Sequence, residues 1–166
     1  MAVNAKLLPG SAFLLCLLVA TAGCRPTGSF PGTSNPLPTA SATLHWAKID
    51  LPRGSYCWKF GDHGECADSP GAQPLLRSGF LKPYRTAGGF DALVTFKSAS
   101  QPSVFQVELQ TPDGKARTVP ESAPHTFSID TIPTTAAGIY VYVVTGKWAE
   151  GDVSFYLVLD LLPGGA

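Results

Sequence analysis

Charge is what this sequence has least of. Only 14% of its 166 residues are charged, and its 12 basic and 12 acidic side chains cancel. No basic patch or acidic tail stands out, which argues against nucleic-acid binding and against docking on anionic membrane surfaces. No apolar run approaches the roughly 20 residues of a membrane-spanning helix. Catalytic signatures are missing as well. There is no G-x-S-x-G elbow, no H-E-x-x-H, no P-loop and no G-x-G-x-x-G. His45, His63 and His125 are scattered. Acid–base catalysis needs a positioned partner for each, so all three read as surface or loop residues. Glu150 and Asp152 could stand for the carboxylate pair of a glycosidase, but they flank Gly151 and read as a solvated turn. No catalytic residue, cofactor or metal is therefore assigned.

What the chain does have begins at its start, MAVNAKLLPGSAFLLCLLVATAGC. Lys6 is the only charge before Arg25, and the apolar run from Ala12 to Ala20 is about 9 residues, the length of a secretory signal core rather than a span. Thr21, Ala22 and Gly23 then lead to Cys24. This segment resembles a bacterial lipoprotein signal, in which a cysteine after two small residues receives diacylglycerol before cleavage. Ala22-Gly23-Cys24 fits, while Thr21 stands where that family usually has Leu. The resemblance implies a signal peptide over residues 1–23, lipidation at Cys24, and a place on the extracytoplasmic face of the cell membrane. In a cell with two membranes, Arg25 replaces the Asp associated with inner-membrane retention, which implies the outer membrane. An ordinary secretory signal is the other reading. Two or three acyl chains anchor a protein durably.

Cys16 would leave with the signal and carries no role. Cys57 and Cys66 are then the remaining pair, and an even pair in an exported domain reads as a disulfide. The same thiols with Asp62, His63, Glu65 and Asp68 could hold a metal, but no second paired cluster accompanies them and the compartment is oxidising. Loss of Lys6 leaves 11 basic against 12 acidic side chains, a net charge of −1.

Residues 24–42, mostly RPTGSFPGTSNPLPTASA, are rich in Pro, Gly, Ser and Thr with one charge. Such a segment lacks the apolar surface to fold and reads as a disordered spacer, about 25 Å as a coil and about 55 Å extended. The folded domain is expected over residues 43–166, long enough to bury a single core. Leu44 to Ile49 reads as extended. Ser55 to Phe60, Ala92 to Phe96, Val104 to Leu109 and Thr126 to Ile129 are strand-like, with turns at Gly61–Gly64, Ser69–Gly71 and Pro112–Gly114. Ile139 to Val144 and Val153 to Asp160 alternate, and Gly146 to Asp152 joins them as a hairpin with a longer loop. No window carries a useful helical stripe. About seven short strands at this spacing predict an all-β, antiparallel sandwich.

Ala137-Gly138-Ile139-Tyr140-Val141-Tyr142 resembles the Gly-x-Tyr entry to the penultimate strand of immunoglobulin-like domains. Tyr140 matches the tyrosine whose hydroxyl bonds back to the corner backbone. Tyr142 stands where the antibody-type cysteine would be, so the cross-sheet disulfide of that family is missing. Gly54-Ser55-Tyr56-Cys57-Trp58, Cys66-Ala67-Asp68-Ser69-Pro70 and Trp148-Ala149-Glu150-Gly151-Asp152-Val153-Ser154-Phe155 resemble segments of small envelope lipoproteins of Gram-positive bacteria. That resemblance covers Gly54 to Leu162 and implies an envelope location without transferring an activity.

The aromatics supply the candidate binding surface. Tyr56 and Trp58 share one strand face by alternation, and Trp148 opens the last hairpin loop. Aromatic platforms bind sugars, peptides or partner proteins. Core packing of the same rings is the competing reading, and exposure separates the two. Two functions remain in view. One is a membrane-anchored, non-enzymatic interaction module for a protein or cell-wall partner. The other is a glycan or small-ligand binding module using surface aromatics.

Overall fold

The computed structural model describes residues 36–45, 47–130 and 137–163. The signal segment, Cys16, Cys24 and residues 25–35 lie outside the described residues, as does Trp46. Among the described residues no helix is long and apolar enough to cross a membrane.

Two sheets pack face to face. The first has β1 (Thr39–Leu44), β2 (Ala47–Leu51), β6 (Phe90–Lys97), β9 (Glu121–Ala123) and β10 (Thr126–Ile129), in the order β2-β1-β6-β10-β9. The second has β3 (Arg53–Phe60), β4 (His63–Ala67), β7 (Val104–Gln110), β8 (Ala116–Val119), β11 (Gly138–Trp148) and β12 (Gly151–Leu162), in the order β4-β3-β12-β11-β7-β8. A short β5 (Tyr84–Ala87) pairs parallel with β12, and among the described residues all other pairings are antiparallel.

Eight of these strands form an immunoglobulin-like frame. Ribbons β1-β6-β10-β9 and β12-β11-β7-β8 reproduce the A-B-E-D and G-F-C-C′ orders of that sandwich. Residues between β1 and β6 are the addition. They place β2 on an outer edge of the first sheet, β3 and β5 against β12, and β4 outside β3, so that the described residues form twelve strands where seven or so are expected.

Alternation explains the centre. Tyr140, Tyr142, Val144 and Trp148 of β11 and Val153, Phe155, Leu157, Leu159 and Leu161 of β12 point into the sandwich against Val94, Phe96, Phe127 and Ile129. The apolar run at Phe155–Leu159 is continuous because β12 is buried on both faces. Tyr156 and Val158 point outward but are covered by Leu81 and by Ala72 of α1 (Ala72–Arg77). This single-turn helix arises where the sequence showed no helical stripe, since six residues are too few to display one.

Three further boundaries differ from the sequence reading. First, β1 starts at Thr39, inside the expected spacer of residues 24–42, and Pro38 is fully buried. Its core-facing residues are Ala40 and Ala42, small enough to hide the strand from a composition count. They sit between β2 and β6, which supply the partners. Second, the chain reverses within Leu44–Ile49. His45 takes φ 50°, a region His enters more readily than most residues, and Leu44 pairs with Ala47. Third, the β11–β12 loop is short. Pairing continues to Trp148 opposite Gly151, leaving Ala149 and Glu150 as the turn. The turn at Pro112–Gly114 is as expected. Gly114 has φ 81°, and Lys115 followed by Thr111 holds the Asp113 carboxyl down at about 2. The corner to which Tyr140 would bond falls on residues 131–136, outside the described residues.

The buried phenol of Tyr142 gives the fold a pH signature. The side chain is 2% exposed and packs on Phe127 with ring centroids 5.2 Å apart. Burial, reinforced by Asp130, pushes its pKa well above the usual tyrosine range. Its folded pKa is thus higher than its unfolded one, so the stabilisation is complete below the ordinary tyrosine pKa and is lost as pH rises above it. Chemical denaturation at about pH 9 and about pH 11 is expected to show a drop in stability that Tyr142→Phe reduces. An equal drop in both proteins would remove Tyr142 as its source.

Candidate functional site

The three candidate binding aromatics separate on folding. On β3, Tyr56 and Trp58 face inward and Cys57 outward, because Trp58 lies opposite Gly151 and Cys57 opposite Asp152 of β12. Trp58 is 3% exposed and Trp148 7% exposed. Their rings meet edge to face at 5.6 Å, and Phe96 closes on Trp148 at 5.3 Å. Trp148 also donates its indole N–H to the Ser100 carbonyl at 2.9 Å. Of the two readings of these rings, core packing holds for Trp58 and Trp148, and the candidate binding surface loses both indoles. Gly146 explains how so large a ring folds back, since a Cβ there would stand 2.4 Å from the Trp148 ring.

Tyr56 alone of the three reaches the surface. It donates its hydroxyl to the Glu65 carboxylate across the β3–β4 hairpin. That bond, ahead of burial, raises the phenol above its usual pKa. The Arg53 guanidinium lies over its ring at 5.9 Å, and Arg53 Nη2 donates to the Pro38 carbonyl at 3.1 Å. These contacts tie the hairpin to the start of β1.

Cys57 and Cys66 form a disulfide. They are directly opposite residues of β3 and β4, so the bond staples the hairpin on its exposed side. Closing so short a loop stabilises by about 2–3 kcal/mol on the chain-entropy view. The carboxylates near it do not gather around one point, and among the described residues no group of three His, Cys, Asp or Glu could hold a metal. The histidines lie apart as well. His45 packs on Phe90, His63 on Phe60, and His125 on Phe96 and Phe105. Glu150 occupies the β11–β12 turn, where its carbonyl accepts the Lys59 N–H at 2.8 Å.

A further feature lies on the outer face of the second sheet. Gln106, Glu108 and Gln110 all project outward from β7 by strand alternation. Thr145 and Val143 of β11 lie opposite Gln106 and Glu108, Thr118 of β8 lies opposite Glu108 on the other side, and Ser154 of β12 lies opposite Thr145. Gly71 and Ala72, leading into α1, raise a wall along one side. The result is a groove of about 350 Å³ with Tyr156 in its floor. The only available signal was the polar alternation of β7, which any solvent-facing strand shows. A second hollow, about 400 Å³, lies on the outer face of the first sheet among Ser41, Lys48, Asp50, Thr95 and Lys97.

No protein-family model, curated protein or solved structure matches this chain.

Proposed function

We propose that the protein is an extracytoplasmic lipoprotein, anchored in the membrane by lipid on Cys24, whose immunoglobulin-like domain is a non-enzymatic interaction module for an envelope partner, protein or cell wall. The observation that carries this reading is the Cys57–Cys66 disulfide. Disulfides persist in oxidising compartments outside the cytoplasm, and Ala22-Gly23-Cys24 supplies the address and the anchor. The spacer then stands the domain off the bilayer. It enters at Thr39, opposite Lys97, the end of the sandwich that also holds Phe96 and Trp148. The reading through surface aromatics has no support from Trp58 and Trp148, which are core residues.

The test is membrane fractionation with acyl labelling. The native chain is expected to sediment with membranes and to incorporate labelled palmitate. Cys24→Ala is expected to lose the label and move to the periplasm or medium while remaining folded. Sedimentation of unlabelled Cys24→Ala with membranes would remove the lipid anchor from the account. Crosslinking in the cell, followed by mass spectrometry, then identifies the partner.

A further inference from the structure

We infer that the groove on the outer face of the second sheet binds a neutral glycan, the uncharged stretches of a cell-wall polysaccharide. This rests on the envelope reading for the source of the glycan and on the groove alone for its chemistry. Recognition of a neutral sugar requires dense, mixed hydrogen bonding, because each hydroxyl both donates and accepts. Gln106 and Gln110 each offer two N–H donors and an acceptor, Glu108 offers acceptors, and Thr118 and Thr145 offer hydroxyls. Along β7 the three long side chains stand about 6.8 Å apart. Gln110 donates to Glu108 at 3.3 Å, which holds the carboxylate in place with acceptor capacity to spare. All these groups stand on paired strands rather than on loops, which fixes their spacing.

The floor suits the other half of a sugar, its C–H face. Val143, half-buried, offers that apolar contact, while Tyr156, 5% exposed, lies beneath and is locked by donating its hydroxyl to Ser69 at 3.0 Å. The volume, about 350 Å³, falls in the range of small-ligand sites.

Charge and apolarity exclude the other occupants. Glu108 is the only charged side chain lining the groove, and no Lys or Arg accompanies it. A phosphate or carboxylate polymer would meet an anion and no cation. The hollow on the opposite face differs, since Lys48 and Lys97 stand there beside Asp50. A protein partner needs large apolar or aromatic anchors at its centre. The exposed ones, Phe80, Tyr84, Leu93, Val104 and Ile139, all lie outside the lining.

The experiment is calorimetric titration of the full-length protein, purified in a detergent without sugar headgroups. The probes are a tetramer of N-acetylglucosamine, a tetramer of glucose and a glycerol phosphate polymer. Saturable binding of at least one neutral tetramer is expected, with Gln106→Ala and Glu108→Ala each weakening it about tenfold. His63→Ala, on the exposed hairpin, is expected to change nothing. Thr118→Val serves as a further groove variant should either of the first two shift the unfolding midpoint. Binding of the phosphate polymer alone, no binding of either tetramer, or binding indifferent to the groove variants would each overturn the inference. The anchor reading is judged separately, because glycan binding in detergent does not depend on where Cys24→Ala fractionates.

Discussion

Trp148→Ala is expected to destabilise the domain by about 3–5 kcal/mol, the range for removing a buried aromatic and leaving a cavity. Three contacts are lost together. The indole meets Trp58 and Phe96 edge to face at 5.6 Å and 5.3 Å, and it donates to the Ser100 carbonyl at 2.9 Å. Collapse cannot fill the gap cheaply, because Trp58 and Phe96 sit on paired strands from different sheets. Trp148→Phe keeps part of the packing but no donor, so its cost is expected to fall between alanine and the native ring. Pairing Trp148→Ala with Trp58→Ala should reveal a coupling of about 0.5–1.5 kcal/mol beyond additivity, the measured range for aromatic pairs. Denaturant titration reads all of these. A cost below about 1 kcal/mol for Trp148→Ala, typical of an exposed site, would contradict the buried placement. Quenching offers an independent check, with Trp46→Phe as background so that emission reports only Trp58 and Trp148. Both are expected to be shielded from iodide.

This burial marks a boundary of what the sequence made legible. Alternation put Tyr56 and Trp58 on one face of a strand, and it did so correctly. Which face was buried depended on β12, more than ninety residues away, and no local pattern holds that information. The last two strands were legible because Ile139–Val144 and Val153–Asp160 carry their own alternation. The cysteine pair was legible by elimination and compartment. By contrast, β4 has four exposed residues out of five, and β9 is three exposed residues long. Neither owes its strand conformation to buried side chains, so neither leaves a hydrophobic trace. The start of β1 was hidden by the smallness of Ala40 and Ala42. The groove was hidden for a related reason. Gln106, Glu108 and Gln110 read as an ordinary wet face until β8, β11 and the turn before α1 are brought beside them.

The second large effect is expected at Gly151, the residue facing both Trp148 and Trp58. It takes φ 151°, and a Cβ built there would stand 1.9 Å from the Cys57 carbonyl oxygen and 3.1 Å from the Trp58 Cα. Both obstacles are backbone, so no side-chain rotation relieves them. Gly151→Ala must push β3 away from β12, which strains the Lys59 to Glu150 hydrogen bond and draws Trp58 off Trp148. We expect a cost of about 3 kcal/mol or more, combining strain at an unusual φ with loss of packing. Gly61→Ala is the informative comparison, at the tip of the β3–β4 hairpin. Gly61 also has positive φ, 64°, but nothing lies within 4 Å of a Cβ there. Its expected cost is only the left-handed penalty, about 1–2 kcal/mol. Thermal or denaturant unfolding of the two variants separates close approach from backbone preference. Equal costs would mean that conformation alone demands glycine at 151. A larger cost at 151, with lowered iodide protection of Trp58, would show that the Gly151–Cys57 contact holds the added hairpin against the immunoglobulin-like frame.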